Sequence, residues 1–277
     1  MVRRLIVSAA GLAVVAGSLA LSAPAMASSA GQHSAGQHSA GQHRATRIAG
    51  PHGFVPGGLF RQAPGTHTVM KNGRAIQFSS NWSGYAITGT TFTTTTASWT
   101  QPAITCSGSH ETDMSPWVGI DGYSTSTVEQ TGSSGDCDGS SKDYYAWYEM
   151  YPRNVVVINK TVKPGDQFTG TVTHTSGTNY TLKLQDITQG WTNSVTKSIS
   201  AKDASAEAVM EMAANFLTKW SGPDPFTGFT ANGQPAGSYS SSQIQQMEID
   251  TSSGTVCDTT SGLTSNENFN VTWDNAC

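Results

Sequence analysis

Carboxylates are the side chains left to carry out catalysis in this sequence once the commoner catalytic groups are ruled out. From residue 78 onward there are only two histidines, His110 and His174. Neither G-x-S-x-G nor H-E-x-x-H occurs, so a serine nucleophile with its histidine base and a helical zinc site both lack their parts. Three segments concentrate the remaining candidates. Trp117-Val118-Gly119-Ile120-Asp121-Gly122 leads to Val128-Glu129-Gln130-Thr131-Gly132. Tyr145-Ala146-Trp147-Tyr148-Glu149-Met150-Tyr151-Pro152 follows, and then Ala206-Glu207-Ala208-Val209-Met210-Glu211. A carboxylate with an ordinary pKa of about 4.3 can serve as a general base where the working pH is low. Taken singly, each residue has a plainer explanation. Trp117, Trp147 and Tyr151 suit cross-strand packing, and Glu149 suits a solvated strand. Only their joint order points to a site.

These residues must be carried by strands. Ser83 to Thr100, Tyr144 to Tyr151, Asn154 to Val162, Gln167 to His174 and Tyr180 to Leu184 are rich in β-branched and aromatic residues. Turn signals such as Pro164-Gly165-Asp166 and Ser176-Gly177-Thr178 separate them. The spacing predicts an all-β, antiparallel sandwich in one large domain. Asp203 to Trp220 reads differently, because its Ala, Glu and Met residues favour a helix. At period two, however, Glu207, Val209 and Glu211 share one face.

At Asn81-Trp82-Ser83-Gly84-Tyr85 and the three segments above, the sequence resembles the glutamic peptidases, also called eqolisins or the G1 family. The resemblance runs from about Ser80 to the C-terminus. It implies a concanavalin A-like sandwich of two large curved sheets, which makes 203–216 a strand. It implies a metal-independent endopeptidase with no cofactor. Gln130 and Glu211 match the catalytic pair, with Trp117 and Asp121 beside it. Trp82, Trp147, Glu149 and Tyr151 match residues lining the substrate cleft. Glu211 would deprotonate a water and return the proton to the leaving amine, while Gln130 orients that water and stabilises the oxyanion. There are departures. The step from Asp121 to Gln130 is one residue shorter than in fungal members, Tyr145 stands where they have an acid, and Met150 replaces a tryptophan. Two other readings stay open: a carbohydrate-binding sandwich without catalysis, and a glycoside hydrolase using Glu149 and Glu211.

The ends of the chain bear on where such an enzyme would work. Arg3 and Arg4, the apolar run Leu5 to Ala20 and Ala25-Met26-Ala27 read as a signal peptide over residues 1–27. A secreted, extracellular protein, free of the membrane once the signal is removed, is expected. Residues 30–43 repeat Ala-Gly-Gln-His three times, which reads as a flexible linker better than as a metal site. Residues 1–77 carry seven bases and no acid, whereas 78–277 carry eight bases against all nineteen acids, a net −11. A basic, largely disordered propeptide over 28–77 that covers the site of an acidic catalytic domain over 78–277 fits this split. The resemblance implies such a leader too, as the enzyme's own inhibitor. The body has no basic patch for nucleic acid. A protein or peptide substrate and a monomer are expected. Cys106, Cys137, Cys257 and Cys277 read as two disulfides, with Cys106–Cys137 and Cys257–Cys277 preferred on proximity alone.

Overall fold

A computed structural model describes residues 57–277, apart from 66–68, 72, 109, 215 and 252–253. The expected signal segment and the histidine repeat lie outside the described residues. Two large sheets face one another. The first holds β1 (Val69–Lys71), β2 (Arg74–Ser79), β3 (Trp82–Thr88), β6 (Thr112–Ile120), β7 (Val128–Asp138), β8 (Ser141–Tyr151), β9 (Val156–Ile158), β13 (Ser205–Glu211) and β17 (Ile244–Ile249). The second holds β4 (Thr94–Thr100), β10 (Gln167–Ser176), β11 (Asn179–Asp186), β12 (Trp191–Ser198), β15 (Pro223–Ala231), β16 (Gln234–Pro235), β18 (Asp258–Thr260) and β19 (Phe269–Trp273). The short strands β5 (Ile104–Thr105) and β14 (Lys219–Trp220) pair with each other. Neighbours are antiparallel except β17 and β2, which run parallel. The expected all-β sandwich is thus the observed architecture.

Alternation explains the second sheet. In β10 and β11, Phe168, Val172, Leu182 and Leu184 point inward. The intervening threonines face out and pair across strands, as in Thr96–Thr171 at 3.1 Å and Ser98–Thr169 at 2.8 Å. The threonine-rich composition is therefore a solvent face. Strands β3, β6, β7 and β13 are buried on both faces. Tyr85, Val118, Ala206, Ala208 and Met210 enter the core between the sheets. Trp82, Ala86, Trp117, Val128, Trp147, Val209 and Met247 form a second apolar cluster on the opposite face. That second cluster floors the candidate site.

The segment with helical propensity is strand β13. It pairs along its whole length with β3 on one side and most of its length with β6 on the other. Ladder pairing on both sides outweighs a propensity difference of a few tenths of a kcal/mol per residue. Two aspartates fix its ends. Asp121 accepts the backbone N–H groups of Lys202, Asp203 and Ala204 at 2.8–2.9 Å just before β13. Asp113 accepts those of Ala213 and Ala214 at 2.6 and 2.8 Å just after it.

The disulfides are Cys106–Cys137 and Cys257–Cys277, with Cα separations of 5.5 and 5.7 Å. The expected boundary between leader and body at 77/78 falls inside β2. Residues 69–71 and 74–77 are strand, and Gly57 to Ala63 lie against the first sheet.

Candidate active site

Period-two geometry brings the implied residues to one face. On β7, Val128, Gln130 and Gly132 point to the second cluster, and on β8 so do Tyr145, Trp147, Glu149 and Tyr151. Gln130 and Glu149 are direct cross-strand partners, and Gln130 Nε2 donates to Glu149 Oε2 at 2.9 Å. Gln130 Oε1 accepts no hydrogen bond among the described residues. Gly119 lies between Gln130 and Glu207 in the register. A β-carbon there would meet Gln130 Cβ at 3.1 Å and the Trp117 ring at 2.9 Å, so the glycine makes room for the amide's stem.

Glu211 ends β13, opposite Trp82 on β3 and Ser115 on β6. Its Oε1 accepts from the Trp82 indole at 3.2 Å and from Asn81 Nδ2 at 3.5 Å. Its Oε2 accepts from the Trp117 indole at 3.0 Å and from the Gly57 backbone N–H at 2.9 Å. The two indoles meet edge to face, with centroids 4.9 Å apart. Burial raises the Glu211 carboxyl to about 7, against the lowering effect of the Trp82 bond.

Gly57 touches all three groups. Besides its bond to Glu211, a β-carbon on it would overlap Glu149 Oε2 and stand 2.5 Å from Gln130 Nε2. Gln130, Glu149 and Glu211 therefore converge within the span of one residue. Such a constellation pairs a buried acid or base with an amide donor and can serve addition of water to a carbonyl.

Of the other implied residues, Trp82 and Trp117 hold Glu211 directly. Trp147 is buried in the cleft floor and donates to Ser134 Oγ at 2.9 Å. Tyr151 packs at the edge of the same cluster. Asp121 is not presented to the cleft, because both its oxygens are occupied by the backbone before β13. It positions the strand that ends in Glu211. Sequence reasoning missed Asp113, which holds the other end, and it placed Gly57–Ala63 in a largely disordered stretch over the site without foreseeing its backbone contacts. Asn81 stands in the sequence reading only as the first residue of a motif, with no role assigned to it. It is 1% exposed and bonds both Glu211 and the backbone of Leu59 and Arg61. The advance signals for a segment over the site were the basic charge of residues 1–77 and the family resemblance.

The site so defined is a glutamine–glutamate pair on one face of a two-sheet sandwich. Residues 80–273 match the profile of the Peptidase A4 family, and the chain belongs to that family. It is 35% identical over 131 residues to scytalidopepsin B of Scytalidium lignicola, covering 47% of this chain and 48% of that protein. It is 30% identical over 144 residues to aspergillopepsin-2 of Aspergillus niger, covering 45% and 50% respectively. The chain thus spans about half the length of the curated relatives it matches. In fold it is similar to the crystal structure of scytalido-glutamic peptidase with a peptide-based transition state analog. The TM-score is 0.58 at 24% identity, covering 70% of this chain and 98% of that one. A similar likeness, with TM-score 0.55 at 23% identity over 70% of this chain and 98% of the other, is to SCP-B, an eqolisin in complex with the tripeptide Ala-Ile-His.

Proposed function

We propose that this protein is a secreted endopeptidase that hydrolyses peptide bonds in acid, with Glu211 as general base and acid and Gln130 as oxyanion donor. The observation that carries this reading is the convergence of Gln130, Glu149 and Glu211 on a peptide backbone, that of Gly57. Among the readings open from sequence, membership of the Peptidase A4 family favours this one over a sugar-binding sandwich or a glycosidase.

In this mechanism Glu211 takes a proton from a water, whose oxygen adds to the scissile carbonyl carbon. Gln130, held by Glu149, donates an N–H to the oxygen that becomes negative. The C–N bond then breaks as Glu211 returns the proton to the amine nitrogen. The indoles of Trp82 and Trp117 stabilise the ionised carboxylate and fix its direction. Removing Gly57 takes away a donor that lowers Glu211, but it lets water into the groove, and that water relieves the larger desolvation that raises Glu211. Its carboxyl then returns toward the usual range, as a base working in acid requires. The leader is read as the inhibitor in cis, and the enzyme as a monomer.

Incubating the leader-free protein with denatured casein at about pH 3–4, below the glutamate reference value, with pepstatin present, tests the reading. Cleavage by the wild type, lost in Gln130→Ala and Glu211→Gln, is expected. Proteolysis that persists in both variants would overturn it.

A further inference from the structure

The charge split in the sequence suggests that the leader is held electrostatically, but the contacts at the dyad are of another kind. Gly57 N–H donates to Glu211 Oε2 at 2.9 Å. The Leu59 carbonyl accepts from Asn81 Nδ2 at 2.9 Å, and Phe60 N–H donates to the Gly122 carbonyl at 3.1 Å. Arg61 N–H donates to Asn81 Oδ1 at 2.9 Å, its carbonyl accepts from Ser80 N–H at 2.8 Å, and Ala63 N–H donates to the Phe78 carbonyl at 2.9 Å. Every one of these bonds uses a main-chain atom of the leader. Leu59 packs against the cleft-floor cluster and, away from the dyad, Lys71 Nζ donates to Glu248 Oε1 at 2.8 Å, but the leader's sequence matters most at Gly57 and Phe60. Gly57 has φ +90, and any β-carbon would collide with Glu149 and crowd Gln130. The Phe60 ring lies 4.7 Å from Tyr123 and 6.0 Å from Trp82.

Resting on the reading of Gln130 and Glu211 as the reacting pair, we infer that the cleft holds an inhibitory peptide site for a glycine followed three residues later by an aromatic, and that Gly57 closes the enzyme by taking the place of the attacking water. A carboxylate offers about four acceptor positions, two on each oxygen. On Oε2 these are filled by Trp117 and Gly57, and on Oε1 by Trp82 and Asn81. No position remains for a water to be deprotonated. Because a residue with a side chain cannot lie where Gly57 lies, the strap sits nearer the dyad than a substrate residue bearing a β-carbon can. It therefore blocks and is not itself read as substrate at that position. The Tyr123–Trp82 niche anchors the strap through Phe60 and sets its register on Glu211.

The test uses the full chain carrying Gly57→Val, with Gly57→Ala as the milder variant and Arg61→Gln/Lys71→Gln as the charge control. Trypsin cutting after Arg61 near neutral pH reads strap release without reference to activity. Casein hydrolysis in the first minutes after acidification, with intact mass showing the leader still attached, reads opening. Gly57→Val should be cut about tenfold or more faster than wild type and should be active with its leader attached. The charge control should stay latent. Unchanged cutting in both glycine variants overturns the inference. So does faster cutting without activity when leader-free wild type is active, or opening by the charge control alone. If cutting accelerates but leader-free wild type is itself inactive, the peptide site stands and the catalytic reading fails.

Discussion

Asp113 and Asp121, at the two ends of β6, grip the backbone on either side of β13, and between them they fix where Glu211 falls. Asp121 takes three N–H groups at the entry of that strand and Asp113 takes two at its exit. Both aspartates are buried, with Asp113 1% and Asp121 0% exposed. Replacing Asp113 by Asn leaves one oxygen to accept and presents an NH2 to a backbone N–H. Loss of about 1–3 kcal/mol of stability is expected, as for a buried group left unpaired. A further fall in kcat beyond what lost folding explains is expected as Glu211 shifts. Urea titration beside kcat on the folded fraction separates the two.

Trp117→Phe keeps most of the packing and deletes the donor to Glu211 Oε2. A hydrogen bond to a charged group contributes about 1.5–3 kcal/mol, so kcat/KM should fall by roughly ten- to a hundredfold. The lost bond favoured the ionised carboxylate, so the acid limb of the pH–rate profile should move to higher pH. A uniform fall with no displacement of that limb would assign Trp117 to packing alone.

Glu149→Gln tests whether Gln130 needs its partner. The substitution keeps the shape but weakens the bond to Gln130 Nε2, which is charge-assisted when Glu149 is ionised. A loss in kcat with KM little changed is expected. Gly119→Ala should act on the same amide, because its new methyl presses on Gln130 Cβ. Equal losses in stability and activity for Gly119→Ala would count against a specific effect on the site.

Stability should fall as pH rises. Burial first, and nearby acids second, push Glu129 up to about 9. Burial pushes Asp113 and Asp258 up to about 7, and raises Glu207 and Asp224 well above the usual range. Each group therefore holds its proton more tightly folded than unfolded. Its stabilisation is fully present below the unfolded value of about 4 and is lost as pH climbs through about 7 and on toward 9. The melting temperature should be highest near pH 3–4 and lower at pH 7. Glu207→Gln should match wild type in acid and exceed it at neutral pH, since neither Glu207 oxygen accepts a hydrogen bond among the described residues. A melting temperature that peaks at neutral pH would contradict this.

The disulfides close loops with sequence separations of 31 and 20. Chain-entropy arithmetic gives roughly 3–4 kcal/mol for each. Cys257→Ser/Cys277→Ser should lower the unfolding free energy by about that much, measured by urea titration at pH 4.

The strand class, the inward and outward faces and the order of the site residues are local properties, because side-chain periodicity and turn residues are written in neighbouring positions. The strands at 167–174 and 180–184, the preferred cysteine pairs and the face shared by Glu207, Val209 and Glu211 were all legible in the sequence. Three outcomes needed tertiary structure. Residues 205–211 are strand because β3 and β6 pair with them on both sides, against their own helical propensity. Asp121 works on backbone because the chain eighty residues later comes to its carboxylate. Gly57 reaches Glu211 across 154 residues of sequence. Each is a contact distant in sequence, and no local pattern encodes where two such segments meet.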